Sequence, residues 1–241
     1  MAGDGFESFA AAYDTGRAQI VFRRVVADLE TPVGAYLKLS EGRRNTFLLE
    51  SVQDGATRGR YSMIGFDPDI ILRVEAGKAS INRNAALAGG TFEPVGERPL
   101  DALRALVAES QADIPSGLPS TAAGIYGYLG YEMVRLMERL PDRHDRGLGL
   151  PDALLMRPTM LAVFDTVKDE LYLTAPVYVR PGVSAKQAWE SAQAKIDEAV
   201  GRLGRTLPYA AMPPDMDKVA ITSNTTVAEY DGMVGAAKEY I

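Results

Sequence analysis

Cysteine is absent from the 241 residues, and the chain carries a single histidine and a single tryptophan. The first absence excludes disulfides, thiolate metal sites and cysteine nucleophiles, and it fits a reducing compartment. His144 has no second imidazole with which to complete a zinc site. It stands beside Asp142 and Asp145 in a loop where a solvated histidine explains it, so no Ser-His-Asp arrangement can be drawn. No stretch approaches the ~20 consecutive apolar residues of a membrane span. The N-terminus, Met1-Ala2-Gly3-Asp4-Gly5-Phe6-Glu7, lacks the basic start of a secretory signal. Lysine and arginine form no block, and the net charge is -6, which leaves no electrostatic footprint for nucleic acid or an anionic membrane. The expectation is a cytoplasmic protein with neither partner, in which the sequon Asn224-Thr225-Thr226 is a coincidence.

What is present is apolar: 46% of the residues, ample for a sizeable core in one large or two small domains. Phe6 to Tyr13 reads as a short amphipathic helix and Ile20 to Val26 as a β-branched strand. Thr31-Pro32 opens a second helix, the hydroxyl capping free amides and proline occupying the first turn, with Val33, Tyr36 and Leu37 as its buried stripe. Thr46 to Ser51 is a short strand. Tyr61 to Ile64, a bend at Gly65 to Pro68, Ile70 to Glu75 and Ala79 to Arg83 form a meander. A helix from Pro99 lines Leu100, Leu103, Leu106 and Val107 on one side. Ala122 to Tyr128 is a strand that passes through Gly130 into a helix carrying Met133, Val134, Leu136, Met137 and Leu140. Thr159 to Val167 and Glu170 to Val177 make a hairpin around Lys168-Asp169. Ser184 to Leu203 is a long helix with Trp189, Ile196, Val200 and Leu203 inward. A last helix starts from the capping box Thr226-x-x-Glu229. Hairpin signals outnumber βαβ alternation, so the expected class is α+β, with mostly antiparallel sheets and flanking helices.

Glycines 124, 127 and 130 match no phosphate-loop pattern. Small residues there let a strand turn tightly, with Tyr126, Tyr128 and Tyr131 filling core or interface space. Asp67/Asp69 and Asp142/Asp145 neighbour prolines, and turn chemistry accounts for them without a metal. Glu50 and Ser51 are different, because the strand Thr-Phe-Leu-Leu ends in two polar groups. An anion, a hydroxyl and the guanidinium groups of Arg58 and Arg60 beside an apolar strand suit a zwitterion with a hydrophobic side chain. An ordinary strand end and a solvated loop, with Gly55 and Gly59 serving only the turn, explain the same residues.

The series Asp28-Leu-Glu-Thr-Pro32, Phe47-Leu-Leu-Glu-Ser51, Thr57-Arg-Gly-Arg-Tyr-Ser-Met-Ile-Gly65, Gly127-Tyr-Leu-Gly-Tyr-Glu132, Leu148-Gly-Leu-Pro-Asp152 and Val163-Phe-Asp165 resembles the N-terminal part of the anthranilate synthase component I family. The match covers nearly the whole chain in the family's order and continues into Ser223-Asn224 and Ala236 to Ile241. The resemblance implies a layered sandwich of sheets and helices, completed by a half outside this sequence and exposing apolar surface where that half docks. It implies three parts: a regulatory domain over 1–207, a linker over 208–222, and over 223–241 the first helix of a chorismate-binding catalytic domain, cut short. The family converts chorismate and an amino donor to anthranilate and pyruvate, using Mg²⁺ and ammonia from a glutamine amidotransferase subunit, as the first committed step of tryptophan biosynthesis. Its catalytic and magnesium-binding groups fall beyond Ile241, so no catalytic or metal-binding residue is expected here.

Feedback inhibition in the family comes from L-tryptophan bound at the Leu-Leu-Glu-Ser motif. Carried over, this implicates Leu49 against the indole, Glu50 for the ammonium and Ser51 for a polar end of the ligand, with Arg60, Tyr61 and Ser62 as neighbours. The other wall belongs to the missing half, so the isolated chain is expected to bind tryptophan weakly and to be inactive. Aminodeoxychorismate synthase component I shares the architecture and differs in product. A stand-alone amino-acid-binding module and a scaffold for the amidotransferase remain as non-enzymatic readings.

Overall fold

The computed structural model describes residues 5–53, 57–86, 90–140, 149–207 and 222–240, the side chains of 52, 53, 57 and 58 excepted. The His144 loop and the linker predicted at 208–222, apart from residue 222, lie outside them. Two compact units divide the chain, Met1–Leu207 and Pro208–Ile241.

In the first unit the order is α1 (Phe6–Asp14), β1 (Gln19–Val26), α2 (Pro32–Ser40), β2 (Phe47–Gln53), β3 (Thr57–Glu75), β4 (Lys78–Asn82), β5 (Glu93–Pro94), α3 (Pro99–Glu109), β6 (Tyr126–Leu129), β7 (Ala153–Asp165), β8 (Glu170–Val177) and α4 (Ala185–Leu203). Two 3₁₀ turns, Ser120–Ala122 and Tyr131–Leu136, flank β6. The strands form one eight-stranded sheet with the path β1-β8-β7-β3-β4-β5; β2 joins on β3, and β6 on β7. Every strand pair is antiparallel, as the α+β expectation requires.

The sheet forks because β3 and β7 are long enough to pair twice along their outer edges. The first part of β3 pairs with β2 and its last part with β4, while β7 gives its first residues to β6 and its last to β8. At the fork, between the Pro68–Pro158 and Ile70–Arg157 pairs, β3 carries one extra residue, Asp69. The expected bend at Gly65 to Pro68 is therefore a bulge inside one continuous strand. Asp67, at φ 50°, turns the backbone, and pairing with β7 carries β3 through what its glycine and proline would interrupt.

Alternation along the strands builds two apolar layers. Ile64, Phe66, Ala162, Phe164, Leu171 and Leu173 pack with α1, α2 and α4. Tyr61, Met63, Leu161, Val163 and Tyr172 point the other way, toward Phe47, Leu118 and Tyr126. Past the fork, Ile70, Leu72 and Val74 pack with Leu106 of α3 and Met133.

Local signals hold where the chemistry is local. Thr31 Oγ1 accepts from Gly34 N at 3.0 Å, and Ser184 with Gln187 closes a capping box on α4. The stripe expected on α2 holds at Tyr36, which packs on the core, and is corrected elsewhere: Val33 and Leu37 are exposed, whereas Ala35 and Leu39 are buried against α4 and the sheet. Val107 of α3 is likewise exposed, and the segment after Gly130 is a 3₁₀ turn rather than an α-helix. Gly127 fits its packing role, because a Cβ there would meet the Leu154 carbonyl oxygen at 1.9 Å. Tyr126 stacks on Phe47 with ring centroids 4.8 Å apart, and burial pushes its hydroxyl up to about 12. Tyr128 and Tyr131 are exposed.

In the second unit, α5 (Val227–Lys238) carries the expected capping box between Thr226 and Glu229 and buries no residue.

Candidate functional site

The two chain segments singled out in the sequence are adjacent strands. Phe47, Leu48, Leu49 and Glu50 face Gly65, Ile64, Met63 and Ser62 in register. The ladder then breaks. Between the Glu50–Ser62 and Val52–Arg58 pairs, β2 contributes only Ser51 whereas β3 contributes Gly59, Arg60 and Tyr61. Such a bulge re-aims side chains.

Gly59 is what lets Ser51 sit there. A Cβ on residue 59 would lie 2.1 Å from Ser51 Oγ and 2.4 Å from its Cβ, closer than any carbon can approach. Gly59 thus serves a strand-to-strand contact, not only a turn. The extra residues of β3 are held from the far side by Thr166: its amide donates to the Arg60 carbonyl at 2.9 Å, and its hydroxyl lies 3.0 Å and 3.3 Å from the Arg60 and Gly59 carbonyls.

Arg60 reaches Asp165 at the end of β7 with two parallel bonds, Nε to Oδ1 at 3.0 Å and Nη2 to Oδ2 at 2.8 Å. Among the described residues this fork leaves Nη1 for another acceptor. The guanidinium carbon also stands 4.9 Å from the centroid of the Tyr61 ring. The Asp165 side chain is 1% exposed and that of Arg60 47%, so a buried carboxylate anchors an accessible cation. The hydrogen bond from Arg60, assisted by the amide of Val167, holds the Asp165 carboxyl below its ordinary range against the opposing effect of burial. Asp165 and Thr166 escaped the sequence reading of the site. Their signal was an acid and a hydroxyl closing the apolar run of β7, in the motif Val163-Phe-Asp165.

The six candidates share one corner but not one face. Leu49 pairs with Met63 and lies on the Tyr61 side of the sheet. Glu50 and Ser62 pair with each other on the opposite face, by alternation, with Ser62 buried and Glu50 exposed. Leu49 and Ser51 are exposed on β2, which pairs only with β3 among the described strands. A molecule lying along that free edge would touch side chains from both faces. Arg58 pairs through its backbone with Val52; its side chain lies outside the described residues.

A second polar cluster sits at the fork. Asp69 accepts from Arg157 at 2.9 and 2.8 Å and from Arg180 at 2.8 Å. The Arg157 guanidinium lies 4.0 Å from the Tyr178 ring centroid. Asp67, by contrast, pairs with Arg43 at 2.7 Å. These two aspartates serve ion pairs, and among the described residues no group of three His, Cys, Asp or Glu side chains could hold a metal ion. No described helix is long and apolar enough to cross a membrane.

Residues 44–241 of the chain match the model of the chorismate binding enzyme family, and the chain belongs to that family. Within it, the chain is similar to anthranilate synthase component 1 of Cereibacter sphaeroides, 45% identical over 237 residues, which are 98% of this chain and 47% of that protein. The component 1 protein of Mycolicibacterium smegmatis is 35% identical over 233 residues, covering 95% and 43%. The crystal structure of anthranilate synthase component I from Streptococcus pneumoniae has the same fold, with a TM-score of 0.58 at 20% identity over 91% of this chain and 45% of that one. The chain spans about half the length of the curated relatives it matches.

Proposed function

We propose that this chain is the N-terminal, regulatory portion of an anthranilate synthase component I. The enzyme that contains it makes anthranilate and pyruvate from chorismate, with ammonia from a glutamine amidotransferase subunit. The observation that carries this reading is the 45% identity across 98% of the chain to a component 1 protein. The regulatory ligand is L-tryptophan, held at the β2–β3 corner and completed by residues beyond this sequence. The 241 residues alone are inactive. Mg²⁺ belongs to that remainder.

The corner's chemistry supports an amino-acid zwitterion. Glu50 is exposed and answers the ammonium, while the Ser51 hydroxyl and the free Nη1 of Arg60 serve as donors to the carboxylate. Leu49 and Tyr61 offer apolar and aromatic surface to the indole, the usual division in which polar groups orient and apolar walls supply affinity. Ser62, buried behind them, supports the strand. A ligand gripping both halves of the enzyme stabilises the arrangement that fits it, and inhibits by its differential affinity for two states.

The test is a product assay on the enzyme that carries this chain, supplied with chorismate and ammonium. Anthranilate formation suppressed by tryptophan is the expected result. Formation of 4-amino-4-deoxychorismate instead, or an anthranilate-forming enzyme indifferent to tryptophan, would contradict the activity or the regulation respectively.

A further inference from the structure

A cavity of about 220 Å³ lies between the end of β8 and the first half of α4, and Tyr13 of α1 contributes to its lining. It is separate in residues from the β2–β3 corner. That volume is room for about seven waters, or for an organic molecule with a similar number of heavy atoms.

Its polar lining is unbalanced. Lys195 and Arg180 line it together with a single carboxylate, Asp69. Both oxygens of that carboxylate already bond to Arg157, and one also bonds to Arg180. The Lys195 ammonium donates to Thr159 Oγ1 at 3.0 Å. The Thr159 hydroxyl in turn donates to the Asp67 carbonyl at 2.7 Å, so its oxygen is turned toward the lysine. An ammonium has three donors. Among the described residues Thr159 is the one bonded acceptor it has, and Lys195 lines the cavity. Burial is the main influence drawing the Lys195 ammonium below its ordinary range, and the neighbouring Arg180 adds to it. Both mark a cation short of negative charge.

The remaining walls mix apolar side chains, among them Ala175, Ala188 and Ala192, with the polar groups of Tyr13, Tyr178, Gln187 and Ser191. Inorganic anions gain nothing from the apolar part of the wall, whereas a carboxylate on a compact hydrocarbon body uses both.

We infer that this cavity is a binding site for a small organic carboxylate, its carboxylate held by Lys195 and Arg180 and its hydrocarbon part against Ala175, Ala188 and Ala192. The inference is independent of the tryptophan proposal, since the two sites share no residue.

The experiment titrates benzoate, and inorganic phosphate in parallel, into the 241-residue chain by calorimetry. Lys195→Gln tests the anchor, and Lys186→Gln, at an exposed position on the same helix, is the control. Saturable benzoate binding is expected, weakened about tenfold or more by Lys195→Gln, unchanged by Lys186→Gln, and tighter than phosphate binding. Absence of saturation with benzoate, equal binding by the Lys195→Gln chain, or phosphate binding more tightly than benzoate would overturn it. Should Lys195→Gln fail to fold, the side-chain ammonium resonance of Lys195 in the unsubstituted protein decides instead. A shift at saturating benzoate upholds the site, and an unmoved signal refutes it.

Discussion

Ser51 lies flat against Gly59: a Cβ at residue 59 would come within 2.1 Å of the Ser51 hydroxyl oxygen. The Ser51 side chain fills the place a side chain on residue 59 would take, at the point where β3 spends three residues against one of β2. Gly59→Ala must therefore push β2 outward or bend the bulge, at about 1–3 kcal/mol. That corresponds to a fall of roughly 2–12 °C in the thermal midpoint for a chain of this size. Ser51→Gly in the Gly59→Ala background removes both opposing atoms and should recover much of the loss. A double-mutant cycle in thermal unfolding checks this, and simple additivity of the two changes would refute the contact.

The Arg60–Asp165 fork makes a statement about pH. Arg60 holds the Asp165 carboxyl below its ordinary range, so the folded state binds that proton less tightly than the unfolded chain. The stabilisation is complete above the ordinary carboxylate value of about 3.9 and is lost as pH falls through the lower, folded one. Urea midpoints from about pH 6 down to pH 2 should fall less steeply for Asp165→Asn than for the unsubstituted protein. Parallel curves would show that this carboxylate is not a source of the acid limb.

Asp69 and its two arginines separate buried from exposed pairing. Its partner Arg157 has a side chain 8% exposed, while that of Arg180 is 60% exposed. Asp69→Ala strands the Arg157 guanidinium in the interior and should cost about 3–5 kcal/mol. Arg180→Ala removes an exposed partner and should cost about 1 kcal/mol or less. Denaturant unfolding of the two variants checks the order, and a reversed order would contradict the cluster described.

Two capping boxes offer a further contrast. Ser184 caps α4, which buries Ile196 and Leu203 in the core; Ser184→Ala should cost about 1 kcal/mol and lower the midpoint. Thr226 caps α5, which buries nothing in this chain. Thr226→Ala should reduce the helical signal of α5 at low temperature, and an unchanged circular dichroism spectrum would contradict the cap.

What the sequence disclosed divides by distance. Thr31 and Thr226 act within three residues, so their caps were legible from order alone. Val33 and Leu37 misled because a helix of mixed apolar residues has no inward face until α4 and the sheet choose one, and they chose Ala35 and Leu39. Gly65 and Pro68 signal a break locally, yet pairing with β7 along the rest of β3 outweighs it. At the candidate site, the motif residues proved to be neighbours on paired strands, but their division between two faces depends on a register no spacing encodes. The partnership of Arg60 with Asp165, 105 residues apart, and that of Asp69 with Arg157 likewise required the fold.

The most direct measurement is the inhibition of anthranilate formation by tryptophan in the enzyme bearing this chain, with Ser51→Ala compared against the unsubstituted protein. Loss of one oriented hydrogen bond in a shared pocket should raise the half-inhibiting concentration about tenfold, equivalent to about 1.4 kcal/mol, with uninhibited turnover unchanged. Superimposable inhibition curves would place tryptophan away from the β2–β3 corner and contradict the regulatory reading of this chain.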